Sequence, residues 1–369
     1  MRFERVELRL IALPLLHPFE TSFGIEAEKH CVLVRLDCEG VTGWGECVAM
    51  NGPWYSEETT GTAWHILTEF ILPHVLGRDF DSAQELQGRL ARVRGNKMAR
   101  AALEGAFLDA LARSRDRSLA HFLGGERTEI ESGVSIGIQS SPEALVAIVE
   151  RELATGYRRA KLKIKPGSDI EFVRAVRLAF PEAQLMVDAN SAYTLEDAEH
   201  LRSLDVFGLT MIEQPLGHDD IVDHATLSAR VQTPICLDES IHSAQDARHA
   251  LELASCRIIN IKAGRVGGLT EAIRIHDICR NRGVPVWCGG MLETNIGRAH
   301  NVALASLPGF TLPGDISASE RYFVEDIAYP NFRVSSHGTL AVPTTPGTGV
   351  EVDEQRLERV TLRRTELVA

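Results

Sequence analysis

The apolar and polar positions divide the chain into two textures. Residues 1 to about 50 carry β-rich runs, VELRLIALPL and HCVLVRLDCEGVTGWGECV, and the Asp37–Cys38–Glu39–Gly40 stretch predicts a hairpin turn. From Glu57 to about Leu123 the pattern becomes helical. ARAALEGAFLDALARSR places apolar residues three and four apart among many alanines, which predicts a buried helix. Strands followed by helices predict an α+β unit over residues 1–125.

After Gly124-Gly125 short apolar runs alternate with helical segments of roughly 10–14 residues. The runs are SGVSIGI, RAKLKIK, AQLMVDAN, LTMIEQP, TPICLDES, RIINIKAG, VPVWCGG and FTLPGD. Eight strands with helices between them predict a parallel (β/α)8-type barrel over residues 126–320. The tail, 321–369, breaks the pattern with Pro330, Pro343 and Pro346 and is expected to pack back on the first unit.

Length agrees with two units, because single cores stop growing near roughly 250–300 residues and the chain has 369. The composition, 44% apolar and 24% charged, is that of a globular protein and not of a disordered or coiled-coil chain. A net charge of −12 argues against non-specific binding to nucleic acid or to anionic membranes. No run of 18 uncharged apolar residues is present, so no membrane span is expected. The N-terminus lacks a signal-peptide pattern. Seven cysteines without C-x-x-C spacing read as packed, reduced thiols of a cytoplasmic protein.

The chemistry is carried by position. Lys163, Asp188, Glu213, Asp238 and Lys262 follow one another at intervals of 25, 25, 25 and 24 residues, each ending a predicted barrel strand. That interval is about one βα unit, so all five fall on the C-terminal face, where barrels of this kind hold their active sites. Three convergent carboxylates repel one another and raise each other's pKa unless a cation intervenes. All-oxygen ligation then points to Mg²⁺ or Mn²⁺ on Asp188, Glu213 and Asp238. Asn190 and Glu239, next to two of them, read equally as partners of those ligands or as loop polars. Lys161, Lys163 and Lys165 alternate with Leu162 and Ile164, which puts three ammonium groups on one strand face, expected to be the barrel interior. Crowding and burial would bring a lysine from about 10.4 toward the range of roughly 7–8 that suits a base. Lys262, nearly across the mouth, pairs with Lys163 for acid/base work on opposite faces of one carbon.

KLKIK, VDAN, IEQP, LDES and NIKAGRVGG, in this order and spacing, resemble the muconate-lactonising subgroup of the enolase superfamily. Such sites use a Lys or His base with metal stabilisation of an enediolate. VDANSAYT, CGGMLE, GRAHN and LPGDISASERY are similar to the N-acylamino acid racemase / o-succinylbenzoate synthase family. The resemblance spans nearly the whole chain. It implies an α/β fold, a modified TIM barrel (β/α)7β with an N-terminal α+β capping domain completed by the C-terminal tail. It implies Mg²⁺, with Mn²⁺ or Co²⁺ as substitutes, on Asp188, Glu213 and Asp238, and Lys163 and Lys262 as the acid/base pair. Lys161 matches a lysine that supports the substrate carboxylate and lowers the basicity of Lys163, and Arg265 matches a position associated with racemisation.

The resemblance further implies a small carboxylate substrate, either an N-acylamino acid such as an N-succinylamino acid or the hydroxy-acid precursor of o-succinylbenzoate in menaquinone biosynthesis. The reaction is racemisation or dehydration, and the assembly a homo-oligomer. HPFETSFG and MNGPWY resemble the two capping loops, which makes Phe19, Phe23, Met50 and Tyr55 either substrate-pocket residues or ordinary interdomain packing. Ser135, Gly290 and Met291 are expected near the acyl group. GRVGG lacks the Lys-Ser/Thr of a phosphate loop and is discounted. Rival readings are a dipeptide epimerase, a muconate cycloisomerase, or a non-catalytic barrel scaffold. Against the first, LPGDISAS lacks a D-x-D arrangement; against the last, a scaffold has no need for mutually repelling carboxylates.

Overall fold

The computed structural model describes residues 1–369. Its capping sheet is built from β1 (Arg5–Thr21), β2 (Gly24–Cys38), β3 (Val41–Cys47) and, from the far end of the chain, β15 (Thr361–Val368), in the order β15-β1-β2-β3. Glu39 and Gly40, both at positive φ, make the tight turn between β2 and β3. The helix Lys97–Ser114 lies directly on β3. It approaches closely because β3 carries Gly43 and Gly45, where a Cβ would collide with the carbonyls of Ala106 and Ala102.

The barrel sheet is parallel, with strands consecutive in the chain lying side by side. Its strands are β5 (Val134–Ile136), β6 (Ala160–Lys163), β7 (Leu185–Asp188), β8 (Ile212–Glu213), β9 (Ile235–Leu237), β10 (Ile258–Ile261) and β11 (Val286–Cys288). Period-two alternation sends Leu162, Val187, Ile212, Ile235 and Ile259 to the core shared with the helices. It sends Met186, Met211, Cys236, Ile258 and Trp287 inward, where they form a separate buried plug. Above that plug most inward positions of β6 to β10 are charged.

The eighth apolar run departs from expectation, because it forms no regular strand. Phe310 bridges Val286 and Gly314 bridges Ser132, so residues 310–315 close the ring through isolated contacts. Pro313, between them, has no N–H to give a ladder. In the tail, β12 (Ala328–Tyr329) pairs with β14 (Glu351–Val352), and β13 (Thr339–Ala341) with β4 (Glu129–Glu131). All seven cysteines are buried and unpaired. No helix is long and apolar enough to cross a membrane.

Two glutamates of the capping unit reach into the barrel. Glu46 accepts hydrogen bonds from the Thr294 hydroxyl (2.7 Å), Thr294 N (3.1 Å) and Gly297 N (3.1 Å), at the start of the helix Asn295–Ala305. Glu104 accepts from Thr270 N (3.3 Å) at the start of Leu269–Asn281, whose own N-cap, Gly268, has no side chain to offer. Helix N-termini favour a carboxylate, yet burial dominates, and the Glu104 carboxyl is pushed up to about 7. A folded-state pKa above the ordinary 4.5 favours folding fully below about 4.5, and that contribution is lost as the pH rises through about 7. Unfolding titrations from about pH 5 to 8 should show the wild type losing on the order of 2–3 kcal/mol that Glu104→Gln does not lose. Parallel stability curves for the two proteins would refute this.

Candidate active site

The inward positions at the ends of β6, β7, β8, β9 and β10 deliver charged side chains to the mouth, Lys163, Asp188, Glu213, Asp238 and Lys262. Register sets Lys163 beside Asp188, and Asp188 beside Glu213. Asp188, Glu213 and Asp238 are each at most 1% exposed. Lys161 Nζ lies 3.0 Å from Asp188, 3.1 Å from Glu213 and 2.5 Å from Asp315. Lys163 Nζ donates to Asp188 (2.6 Å) and to Asn190 Oδ1 (2.5 Å). Lys262 Nζ donates to Asp238 (2.8 Å) and to the Tyr55 hydroxyl (3.0 Å). Arg265 also holds Asp238 and donates to the Tyr55 hydroxyl (3.2 Å). Asn190 in turn donates to Glu239 (2.8 Å).

Lys165 is not part of this set. β6 ends at Lys163, and Lys165, in the loop beyond, pairs with Glu20 at 3.1 Å. Only two of the three alternating lysines enter the barrel, because the strand geometry that would align the third has already stopped.

The lysines differ electrostatically. Burial lowers the Lys163 pKa, and the charge of Lys161 adds to that, with Asp188 opposing. At Lys262 burial acts the same way but is outweighed by Tyr55, Glu239 and Glu213, which hold its pKa above the ordinary value. Among the carboxyls, burial and then the charge of Asp188 raise the pKa of Glu213. As they stand, no three His, Cys, Asp or Glu side chains are close enough to clasp a metal ion, since ammonium groups sit among the carboxylate oxygens. The donor set nonetheless suits a hard divalent cation. It has three buried carboxylates on adjacent strand ends, and beside them the buried Glu239 Oε2 has no hydrogen-bond partner.

Over the charges lies a concave pocket between the capping unit and the barrel. Lys161, Lys163, Lys262 and Asn190 line its floor. Phe19, Phe23, Met50 and Tyr55 of the capping unit line it too, as do Ser135, Gly290 and Met291 from the barrel. Asp188, Glu213, Asp238, Glu239 and Arg265 lie beneath, out of the lining. The Ser135 hydroxyl is buried without a partner. The β1–β2 tip docks on the barrel loops, where the Ser22 hydroxyl donates to Asn190 O (3.0 Å) and Ile138 N to Glu20 O (3.0 Å). Asn190, Ser191, Gln214 and Leu292, all non-glycine, take positive φ in the loops that follow their strands. Such strain is characteristic of functional loops.

Sequence reasoning missed Asp315, Arg159 and Asn260. Asp315 ends the eighth apolar run just as Asp188 ends the third, and it pairs with both Lys161 and Arg159. Asn260 donates to Glu213 (2.7 Å) from the inward row of β10. Period two counted back from Lys262 would have found it.

Residues 144–356 match the family described as enolase C-terminal domain-like, and residues 5–124 the mandelate racemase / muconate lactonizing enzyme N-terminal domain. Over 362 residues the chain is 55% identical to an o-succinylbenzoate synthase of Geobacillus kaustophilus, covering 98% of this chain and 96% of that protein. It is 50% identical over 362 residues to an N-succinylamino acid racemase of Thermus thermophilus, covering 98% of each. A crystal structure of an enolase-superfamily member from Listeria innocua superposes with a TM-score of 0.96 at 46% identity, covering 100% of this chain and 99% of that one.

Removing one partner of a buried ion pair strands the other. Asp315→Asn should therefore cost about 3–5 kcal/mol in denaturant unfolding. A loss below about 1 kcal/mol, the size expected of an exposed pair, would mean that Lys161 and Arg159 are satisfied without it.

Proposed function

Since the chain belongs to the mandelate racemase / muconate lactonizing enzyme family of the enolase superfamily, we propose that it removes the proton α to a carboxylate, serving as o-succinylbenzoate synthase and as N-succinylamino acid racemase. The observation that carries the reading is that two buried ammonium groups of unlike basicity, Lys163 and Lys262, face one pocket above three carboxylates. Similar identity to a synthase and to a racemase supports both activities in one site.

In this reading Asp188, Glu213 and Asp238 hold Mg²⁺, which when bound supplies positive charge against the substrate carboxylate. Lys163, whose charged form burial disfavours, takes the α-proton. Lys161, held by three carboxylates, stays charged and keeps Lys163 poor in protons. In racemisation Lys262 delivers a proton to the opposite face of the same carbon, and the roles exchange for the mirror-image substrate. In the synthase reaction the β-hydroxyl departs on the face of Lys163, which returns its proton so that water leaves. Lys262 remains an ammonium there and stabilises the developing negative charge. Tyr55 closes over Lys262, its ring centroid 4.6 Å from the ammonium, and helps to exclude water. The buried, unpaired cysteines support a reducing, cytoplasmic setting.

Lys163→Ala should lower kcat/KM for both substrates by about 10²–10⁴-fold. In deuterated water each single variant, Lys163→Ala or Lys262→Ala, should stop α-proton exchange for one N-succinylamino acid enantiomer. Wild-type exchange of both enantiomers in either variant would remove the two-base mechanism. Mg²⁺ added after EDTA dialysis should restore turnover and raise Tm by mass action. A Tm rise that persists undiminished in Glu213→Gln would place the cation elsewhere.

A further inference from the structure

Resting on the substrate class proposed above, a fourth ammonium group in the pocket has no assigned task. Lys29 lies on the face of β2 that carries Cys31 and Leu33, two members of the buried core. Its side chain is 5% exposed and lines the substrate pocket. Lysine is almost never buried so deeply without partners, yet the three-donor ammonium makes a single hydrogen bond, to Met291 O at 2.8 Å. The neighbouring carboxylate, Glu46, is 3.9 Å away, and its oxygens are already engaged by Thr294 and Gly297. Glu46 thus balances the charge of Lys29 without filling its donors.

The other pocket ammonium groups are committed. Lys161 is held by three carboxylates, Lys163 by Asp188 and Asn190, and Lys262 by Asp238 and Tyr55. Two acids, Glu26 and Glu28, also line the pocket. Glu28 faces His30 at 3.2 Å, and burial raises the pKa of Glu26. N-succinylamino acids and the o-succinylbenzoate precursor share a feature that the floor of the site leaves unmet, a second carboxylate at the far end of a four-carbon acyl chain. We propose that Lys29 binds this distal carboxylate through its free donors, so that a residue of the capping sheet selects succinyl over uncharged acyl groups. Its bond to Met291 O fixes the ammonium against the barrel loop that lines the same pocket.

The test is kcat/KM for an N-succinylamino acid and for its N-butanoyl counterpart, the same length with a methyl in place of the carboxylate. The wild type should prefer succinyl, and Lys29→Met should reduce the succinyl-to-butanoyl ratio by about 10- to 100-fold, the range for a hydrogen bond to a charged group. Lys29→Arg, which keeps the charge, should retain most of the preference and controls for folding. Equal losses on both substrates in Lys29→Met would make the lysine a mere latch on Met291 and overturn the proposal, as would a wild type indifferent to the acyl charge. A wild type inactive on every N-acylamino acid and on the o-succinylbenzoate precursor would instead overturn the underlying functional reading.

Discussion

Five carboxylates and five cations occupy the mouth of the barrel, almost out of reach of water, and the rest of the site depends on how they compensate one another. Asp188, Glu213, Asp238, Glu239 and Asp315 stand against Arg159, Lys161, Lys163, Lys262 and Arg265. An isolated ion in such a place would cost far more than folding can supply. Each cation therefore has a carboxylate or hydroxyl partner, and Lys161 has three. The apolar plug beneath, with the Trp287 ring 5.1 Å from the Lys161 ammonium, keeps the dielectric low and makes every pairing stronger.

The cations share the carboxylates unequally. Lys161 is locked by surrounding charge, whereas Lys163 faces one aspartate, one neutral amide and a neighbouring ammonium. Two lysines two residues apart on one short strand thus acquire opposite tendencies. A carboxylate-rich site with one reluctant cation can accept a proton at the floor of the pocket and still hold an anion there.

The capping unit obeys the same rule of compensation at a distance. Glu46 and Glu104 offer carboxylates to barrel helices, and Tyr55, Ser22 and Lys29 offer hydrogen-bonding groups to the mouth itself. The pocket is consequently a joint product, its charged floor from the barrel and much of its wall from the two capping loops.

The repeat of about 25 residues, the apolar runs and the residue types at strand ends made the barrel and its five charged positions legible, because period-two alternation and a constant βα length are local properties. The same periodicity overreached at Lys165, where the strand had already ended, and at residues 310–315, where Pro313 prevents a ladder that composition alone suggests. Asp315 and Asn260 sat in plain view at equivalent positions, yet their meaning required knowing which ammonium each one touches. Lys29 was invisible as a site residue, since a lysine in a distant N-terminal strand meets Met291 only when two separately folded layers close. The chain by itself determined which side chains face inward and at what interval. Which of them pair, how basic each lysine becomes and what walls the pocket were decided by tertiary structure, because desolvation and Coulomb interaction depend on distances between residues far apart in sequence.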